Sequence, residues 1–479
     1  MCHKILYIIT CILLILPNKK IFGKIFTMNE TIKLDKYQQK AVEEDGNILL
    51  IAGAGAGKTL TITKKIEYLI QKNICKENEI LVISFTNKSV LDLKRKIKYN
   101  CEIYTFHKLA MQILKDYNVS YNLINDNYLS YIANEYFQSI DEASKTEILK
   151  YFHMYDYKDF LKSYQYKELI KLITTIIKIY KTNDCNKEDF KRLFKKDTFL
   201  SKFTYIIKII YDHELISTNS YDFDDLIIKV TNILNNFYKY KYIIIDEFQD
   251  TSKIRFNLIN KLRILNNATL FCVGDDYQSI YHFSGSDINI FLEFQKLIPN
   301  AKVLKLKYTY RNSQELIDIA SSFIMKNNNQ IKKELVSNKH IDKPIEFIYY
   351  INPHKTFNKL YKKLKKENNN ILVLGRNNND IKDFTKEEVS YMTVHSAKGL
   401  EAENVIIINL VDKVYGFPNK VINNKLIEEL HESDKSFLYA EERRLFYGAL
   451  TRCKNKVYLM VPLFHKSVFI KEIKKDKMF

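Results

Sequence analysis

One stretch limits the fold more than any other. An apolar run, Asn47–Ala52, feeds Gly53-Ala54-Gly55-Ala56-Gly57-Lys58-Thr59, and a helical pattern follows over Leu60–Ile70. Strand, glycine-rich turn and helix make an anion site, because loop N–H groups and the helix N-terminus converge on one phosphate. Such a loop belongs to a parallel-sheet nucleotide-binding domain. Lys58 is placed to reach the β- and γ-phosphates and Thr59 to bind Mg²⁺. The strict G-x-x-x-x-G-K-[ST] pattern fails only at its first position, Ala52.

Glycine is scarce, with 11 in 479 residues, so its placement carries information. No glycine or proline lies between Gly57 and Gly274. Gly53, Gly55 and Gly57 share the loop, and Gly274, Gly285, Gly399 and Gly448 fall in further motifs, where a positive φ or close backbone approach would forbid a side chain.

A phosphate loop alone binds; hydrolysis needs a metal ligand and a base. The run Ile243-Ile244-Ile245 ends in Asp246-Glu247, which supplies both: Asp246 for Mg²⁺ and Glu247 to activate water. Other short β-branched runs (Ile80–Phe85, Tyr242–Ile245, Thr269–Val273, Val303–Leu306, Ile371–Leu374, Val405–Leu410, Lys456–Val461) predict an α/β fold with parallel strands covered on both faces. From about Lys108 to Ser220 no strand is predicted. Apolar residues there recur at helical spacing (Phe160, Leu161, Tyr164, Leu169, Leu172, Ile173), which predicts a helical insertion. The Asn-rich pieces Asn327–Asn329 and Asn377–Asn379 read as loops.

A formal charge of +19 suits a polyanionic partner. It is discounted here, because the Lys-, Asn-, Ile- and Tyr-rich usage follows an AT-rich coding bias. Seven scattered cysteines with no C-x-x-C pair and no ligand-like spacing to histidine argue against a disulfide framework or a zinc site and point to a reducing compartment. Cys272 and Cys101 read as small buried apolar residues. The apolar run Ile5–Leu16 is signal-peptide length and short for a bilayer span. It fits either a start codon set too far upstream of Met28 or a real leader or anchor. Intracellular placement is expected, or organellar if that leader is real, and no membrane partner.

In order and content these motifs resemble the UvrD/Rep-type superfamily-one helicases, nearest to the helicase IV branch, over Leu34–Pro462. The resemblance implies two RecA-like parallel-sheet P-loop domains. Residues 28–107 and 221–300 would form the first, 108–220 its helical insertion, and 301–479 the second, with a short reduced insertion around 320–390; residues 1–27 are set aside as leader or artefact. The span from Arg311 to Thr393 is too short for the large second insertion of full-sized members.

By resemblance, Gln38 in Leu34-Asp35-Lys36-Tyr37-Gln38 reads the adenine edge. Ala52 to Thr59 is the family's phosphate loop, where alanine is tolerated at the first position. Ser84-Phe85-Thr86-Asn87-Lys88 resembles motif Ia and Tyr104-Thr105-Phe106-His107 motif Ib. They imply DNA contacts from Phe85, Asn87, Thr105, Phe106 and His107. Tyr221–Leu226 is similar to the short acidic motif before motif II, which Asp246–Asp250 matches. In Val273–Tyr281, similar to motif III, Gln278 would couple the γ-phosphate to DNA, with Tyr281 and Phe283 stacking on bases; such stacking is worth about 1–3 kcal/mol per base. Motif IV, Tyr308–Arg311, implies Tyr310 on adenine and Arg311 on the γ-phosphate. Motif V, Thr393–Glu401, implies Glu401 near the ribose and His395 at DNA. Motif VI, Glu441–Arg452, implies Arg452 as a second transition-state arginine.

Taken singly, Phe85, Phe106 and Phe283 read more readily as core residues than as stacking platforms, and His107 and His395 as ordinary hydrogen-bonded histidines. The expectation is an ATP hydrolase using ATP and Mg²⁺, a helicase or translocase moving 3′→5′ on single-stranded DNA and at single-/double-strand junctions, in repair or recombination, with no other small-molecule substrate. Oligomeric state is left open. The alternatives are a translocase that strips proteins without processive unwinding, or a catalytically silent nucleic-acid-binding module, against which intact Lys58, Glu247, Arg311 and Arg452 argue.

Overall fold

The computed structural model describes residues 33–235, 239–367, 370–420, 425–430 and 437–475, so the apolar run at 5–16 lies outside the described residues. The chain divides into two units, Met1–Lys36 and Tyr37–Phe479. Of the first, residues 33–35 have no regular structure; the second carries the architecture.

Two parallel sheets organise it. The first holds β1 (Ile48–Ala52), β2 (Ile80–Ile83), β3 (Glu102–Tyr104), β4 (Tyr242–Ile245), β5 (Thr269–Gly274) and β6 (Lys302–Leu306), in the order β3-β2-β4-β5-β1-β6. Every residue of β1, β2 and β4 is buried, the mark of strands covered by helices on both faces. Register aligns Ile51 of β1 with Gly274 of β5, and Ile245 of β4 with Cys272. The phosphate loop, the acid pair and Asp275 therefore leave the sheet side by side at the strands' C-terminal ends, where α/β sheets bind ligands.

The second sheet holds β7 (Ile345–Tyr350), β8 (Ile371–Gly375), β9 (Tyr391–Thr393), β10 (Ala402–Ile407) and β11 (Cys453–Pro462), in the order β9-β8-β10-β11-β7, again all parallel. Two expected boundaries are corrected. Residues 302–306, assigned to the second domain, are the edge strand of the first sheet, paired with β1. The reduced insertion expected around 320–390 is instead part of the second sheet, since β7 and β8 lie in it and pair with β11 and β10.

Between β3 and β4 the helices from Tyr128–Ser139 to Thr198–Ser217 close on a separate core that includes Phe137, Phe160, Ile173 and Phe203 and takes in Leu426 of the helix Lys425–Leu430. The stretch is not free of strands: Asn122–Leu123 pairs with Ser220–Tyr221 and ties its ends together. The helical spacing through Phe160 and Tyr164 is also broken. Ser163 ends Tyr157–Lys162 and caps Tyr164–Thr182, its hydroxyl accepting the Tyr166 N–H at 3.1 Å, which leaves Tyr164 exposed. The preceding helix, Phe106–Asp116, packs Leu109, Ile113 and Leu114 into the core of the first sheet.

Where glycine is absent, asparagine takes the left-handed backbone: Asn73, Asn118, Asn219 and Asn267 follow helices with φ of 46–56°. Gly448 does not fit the crowding argument, since a Cβ there would meet nothing nearer than 4.0 Å in its helix. Cys272 is fully buried as expected, but Cys101 is only half-buried.

Candidate functional site

The loop between β1 and the helix Lys58–Gln71 turns through left-handed Gly55 (φ 71°) and Gly57 (φ 80°). A Cβ on Gly55 would lie 2.6 Å from Arg311 Cβ, and one on Gly57 2.5 Å from Gln38 Nε2. Close approach, as well as φ, therefore demands glycine. Gln38, Gly53–Gly57, Thr309, Tyr310 and Arg311 are brought together here. Gln38 Nε2 donates to Ala56 O (3.2 Å), Thr309 Oγ1 to Ala54 O (2.8 Å) and Tyr310 N to Gly55 O (2.9 Å). Tyr310 is 61% exposed.

Lys58 Nζ lies 3.1 and 3.2 Å from the two oxygens of Glu247. Burial works against the Lys58 ammonium, but Glu247, Asp275 and Asp246 outweigh it and hold its pKa above the ordinary lysine value. Glu247 sits at φ 53°, a left-handed backbone that turns its carboxylate off the strand end. Burial would raise that carboxylate, yet Lys58 and Lys398 hold it well below the usual range. The buried Asp246 beside it is pushed up to about 7 by burial and by the Glu247 charge. Gln249 joins the strand ends: its Nε2 donates to Glu247 (2.7 Å), and its Oε1 accepts the Asp275 N–H (2.9 Å).

Gln278, which follows β5 of the first sheet, links this group to Arg452 on the second sheet's side. Gln278 Nε2 donates to Asp275 Oδ2 (2.6 Å), and Gln278 Oε1 accepts from Arg452 Nη2 (3.1 Å). Arg452 is buried, its Nε has no acceptor, and burial together with neighbouring Arg311 lowers its pKa to about 10. Arg311 Nε donates to Glu401 (2.9 Å) and its Nη1 to Thr451 O (3.3 Å). Glu401 also pairs with Lys454 at 2.7 Å. Tyr277 and Ile280 pack into the core of the second sheet, and Arg444 Nε donates to Ser279 O (2.6 Å), so this segment plugs one sheet's domain into the other's.

Lys398 escaped the sequence reading. It bonds Asp250, donates to Gln278 O (3.0 Å), lies 3.9 Å from Glu247 Oε2 and sits 4.9 Å from the Tyr281 ring centroid. Its place in Ser396-Ala397-Lys398-Gly399 was the only signal available. Asp250, pushed up to about 6 by burial, was visible as an acid but not as Lys398's partner.

The expected DNA contacts divide. Phe85 is half-buried, Asn87 is exposed at a helix start, and Tyr281 is half-buried beside Lys398. Phe106 is corrected: it is 2% exposed and forms core beneath Phe85, ring centroids 5.4 Å apart, with Arg255 over both. The Thr105 hydroxyl is spent capping the helix, accepting the Lys108 N–H at 3.3 Å. The His107 ring lies tilted against Phe223, centroids 4.9 Å apart, with its Nε2 buried and unpartnered. Burial lowers both His107 and His395 to about 4. The Phe283 side chain lies outside the described residues. Among those described, no cluster of three or more His, Cys, Asp or Glu could hold a metal unaided, and no helix is long and apolar enough to cross a membrane.

Comparison with known proteins agrees with this layout. The family model described as the UvrD/REP helicase N-terminal domain matches residues 34–299, and that of the UvrD-like helicase C-terminal domain matches 383–462. A viral superfamily 1 RNA helicase core model matches 229–414. The chain is 32% identical over 316 residues to a probable DNA helicase II homolog of Mycoplasma capricolum, covering 63% of this chain and 42% of that protein. It is 26% identical to DNA helicase IV of Escherichia coli over 496 residues, 95% of this chain and 72% of that one. To the ATP-dependent DNA helicase Rep of Buchnera aphidicola it is 28% identical, over 84% and 66% of the two chains. The chain spans about half the length of its helicase II relatives.

Proposed function

The chain belongs to the UvrD/REP helicase family, and on that premise we propose that it is an ATP-driven motor moving 3′→5′ on single-stranded DNA and separating strands at junctions, in repair or recombination. One observation carries the reading. Lys58, Glu247 and Gln278 from the first sheet's domain meet Lys398 and Arg452 from the second, and Arg452 keeps a buried N–H with no acceptor.

The residues fit a nucleoside triphosphate with Mg²⁺: a loop with no room for a Cβ at Gly53, Gly55 or Gly57, a lysine, and Asp246 with Thr59 to hold the cation. Asp246 and Thr59 would hold the cation, which would supply positive charge to offset the charge that develops on the transferred phosphate. Lys58, leaving Glu247, binds the phosphates. Glu247, relieved of that ion pair, becomes a competent base and takes a proton from water at its carboxylate oxygen. Arg311 and Arg452 stabilise charge on the transferred group. Tyr310, exposed beside the loop, offers a face for adenine, and Glu401 lies next to Arg311 for the ribose side.

Both domains would grip the same phosphate, so binding closes the cleft and hydrolysis releases it. Tyr281, against Lys398, lies within this linkage, which connects closure to a base-stacking aromatic. Phosphate release with and without single-stranded DNA, with Glu247→Gln as control, is the test. DNA is expected to stimulate turnover, and no stimulation sinks the motor. Strand displacement on 3′- and 5′-tailed duplexes tests direction, and displacement confined to 5′ tails contradicts it. Translocation without displacement would identify a protein-stripping translocase.

A further inference from the structure

Among the described residues, Lys333 is the most enclosed cation in any ion pair. Its side chain is 3% exposed and those of Asp275 and Asp276 are 0%. Lys333 Nζ bonds Asp275 Oδ1, lies 2.5 Å from Asp276 Oδ1, and sits 3.5 Å from the Tyr277 ring centroid. One cation serves two adjacent buried carboxylates, an arrangement stable only if the remaining oxygens are also bonded. They are. Asp276 Oδ2 accepts the Ile331 N–H (2.8 Å), Asp275 Oδ1 also accepts the Tyr277 N–H (3.2 Å), and Asp275 Oδ2 accepts from Gln278 Nε2 (2.6 Å).

From Gln278 the path continues to Arg452, so a short chain of hydrogen bonds joins a lysine that touches no phosphate to the arginine that would. Lys333's own segment is anchored on both sides. Leu335 is so close to Gly53 that a Cβ there would lie 2.7 Å from Leu335 Cδ1, and Ser337 Oγ donates to Asn312 O at 2.7 Å beside Arg311. The lysine's position is therefore fixed by the phosphate loop and by the segment that carries Arg311.

We propose that Lys333 is a positioning residue for catalysis: it neutralises the Asp275–Asp276 pair, which fixes Asp275 as the acceptor that orients Gln278 and, through it, Arg452. Without the cation the two carboxylates repel in a low-dielectric site. One of them must turn away or take a proton, and Gln278 then loses the acceptor that sets its amide. The proposal rests on reading the cleft as an ATPase, and its test separates the two.

The test compares the parent chain with Lys333→Met and with Lys333→Met/Asp276→Asn, which restores the parent's buried charge and keeps Asp275. Melting temperature, affinity for a fluorescent ADP analogue, and kcat and KM for DNA-stimulated ATP hydrolysis are measured on each. Lys333→Met is expected to lower kcat by about tenfold or more, as for a misplaced transition-state donor. ADP affinity should stay within about threefold, since Lys333 does not touch the phosphates. The double variant is expected to fold and to recover most of the lost kcat. The proposal is overturned by a folded Lys333→Met with normal kcat, by a folded double variant with no recovery, or by a double variant that does not fold. If Lys333→Met alone does not fold, the double variant decides. Absence of turnover in the parent is a separate outcome that overturns the ATPase reading itself.

Discussion

Replacing Glu247 by glutamine removes the charge that Lys58 holds and keeps the side chain's shape. The pair lies at 3.1 Å, with side chains 15% and 20% exposed. At an effective dielectric of ~20 the attraction at that separation is about 5 kcal/mol. Desolvation of both ions cancels most of it and leaves a net of about 1–2 kcal/mol. This residual attraction competes with phosphate, because Lys58 must abandon Glu247 to reach a nucleotide. Glu247→Gln should therefore bind ATP about 5- to 30-fold more tightly than the parent, at tenfold per 1.4 kcal/mol. The same change removes the base and should slow turnover by about 10²–10⁴-fold. Titration of a fluorescent ATP analogue with Mg²⁺, alongside phosphate release, reads both effects. Equal or weaker binding by the variant would refute the idea that the ion pair opposes nucleotide, and normal turnover would refute Glu247 as the base.

Three further outcomes follow from the same geometry. Gly55→Ala places a methyl 2.6 Å from Arg311 Cβ and 2.8 Å from Thr309 Oγ1 at φ 71°; it should cost about 1–3 kcal/mol by overpacking and raise KM for ATP, and an unchanged KM would contradict the seating of Thr309–Arg311 on the loop. Lys398→Met leaves Asp250, 1% exposed, without its cation; chemical denaturation should register a loss of about 3–5 kcal/mol, and a loss under 1 kcal/mol, on the order of a surface pair, would contradict the pairing. His107, His282 and His395 are each lowered from 6.5 to about 4, chiefly by burial and then by nearby Arg255, Arg444 and Arg376 respectively. Their folded pKa is the lower one, so the stability they contribute is full above pH 6.5 and is lost as pH falls through about 4; melting temperature should drop across that window and His282→Gln should flatten the slope, whereas an unaltered slope would remove His282 from the account.

The local parts of this site could be read from sequence because each is contiguous. A phosphate loop needs strand, glycines, lysine and helix in one run, and a metal and base pair needs adjacent acids at a strand end, so Gly53–Thr59 and Asp246-Glu247 were legible with their roles. The central strands were legible too, since burial on both faces forces an unbroken β-branched run. The strands that escaped, β3, β7 and β9, lie at sheet edges, where half-exposed residues such as Glu102, Glu346 and Thr393 blur the apolar signal.

Tertiary structure alone decided the rest. Phe85 and Phe106 are the same residue type in similar motifs, and only packing makes one half-exposed and the other core. Ser163 divides a helix because its hydroxyl finds the Tyr166 N–H, which apolar spacing cannot reveal. Lys333 with Asp275, Lys398 with Asp250, and Thr309 with Ala54 are pairings across 58, 148 and 255 positions. A buried charge demands a counter-charge but does not say where along the chain it comes from. The sequence thus determined which groups handle phosphate and water, while the fold decided which lysines and amides hold those groups in place, because only folding brings distant charges into the same dry volume.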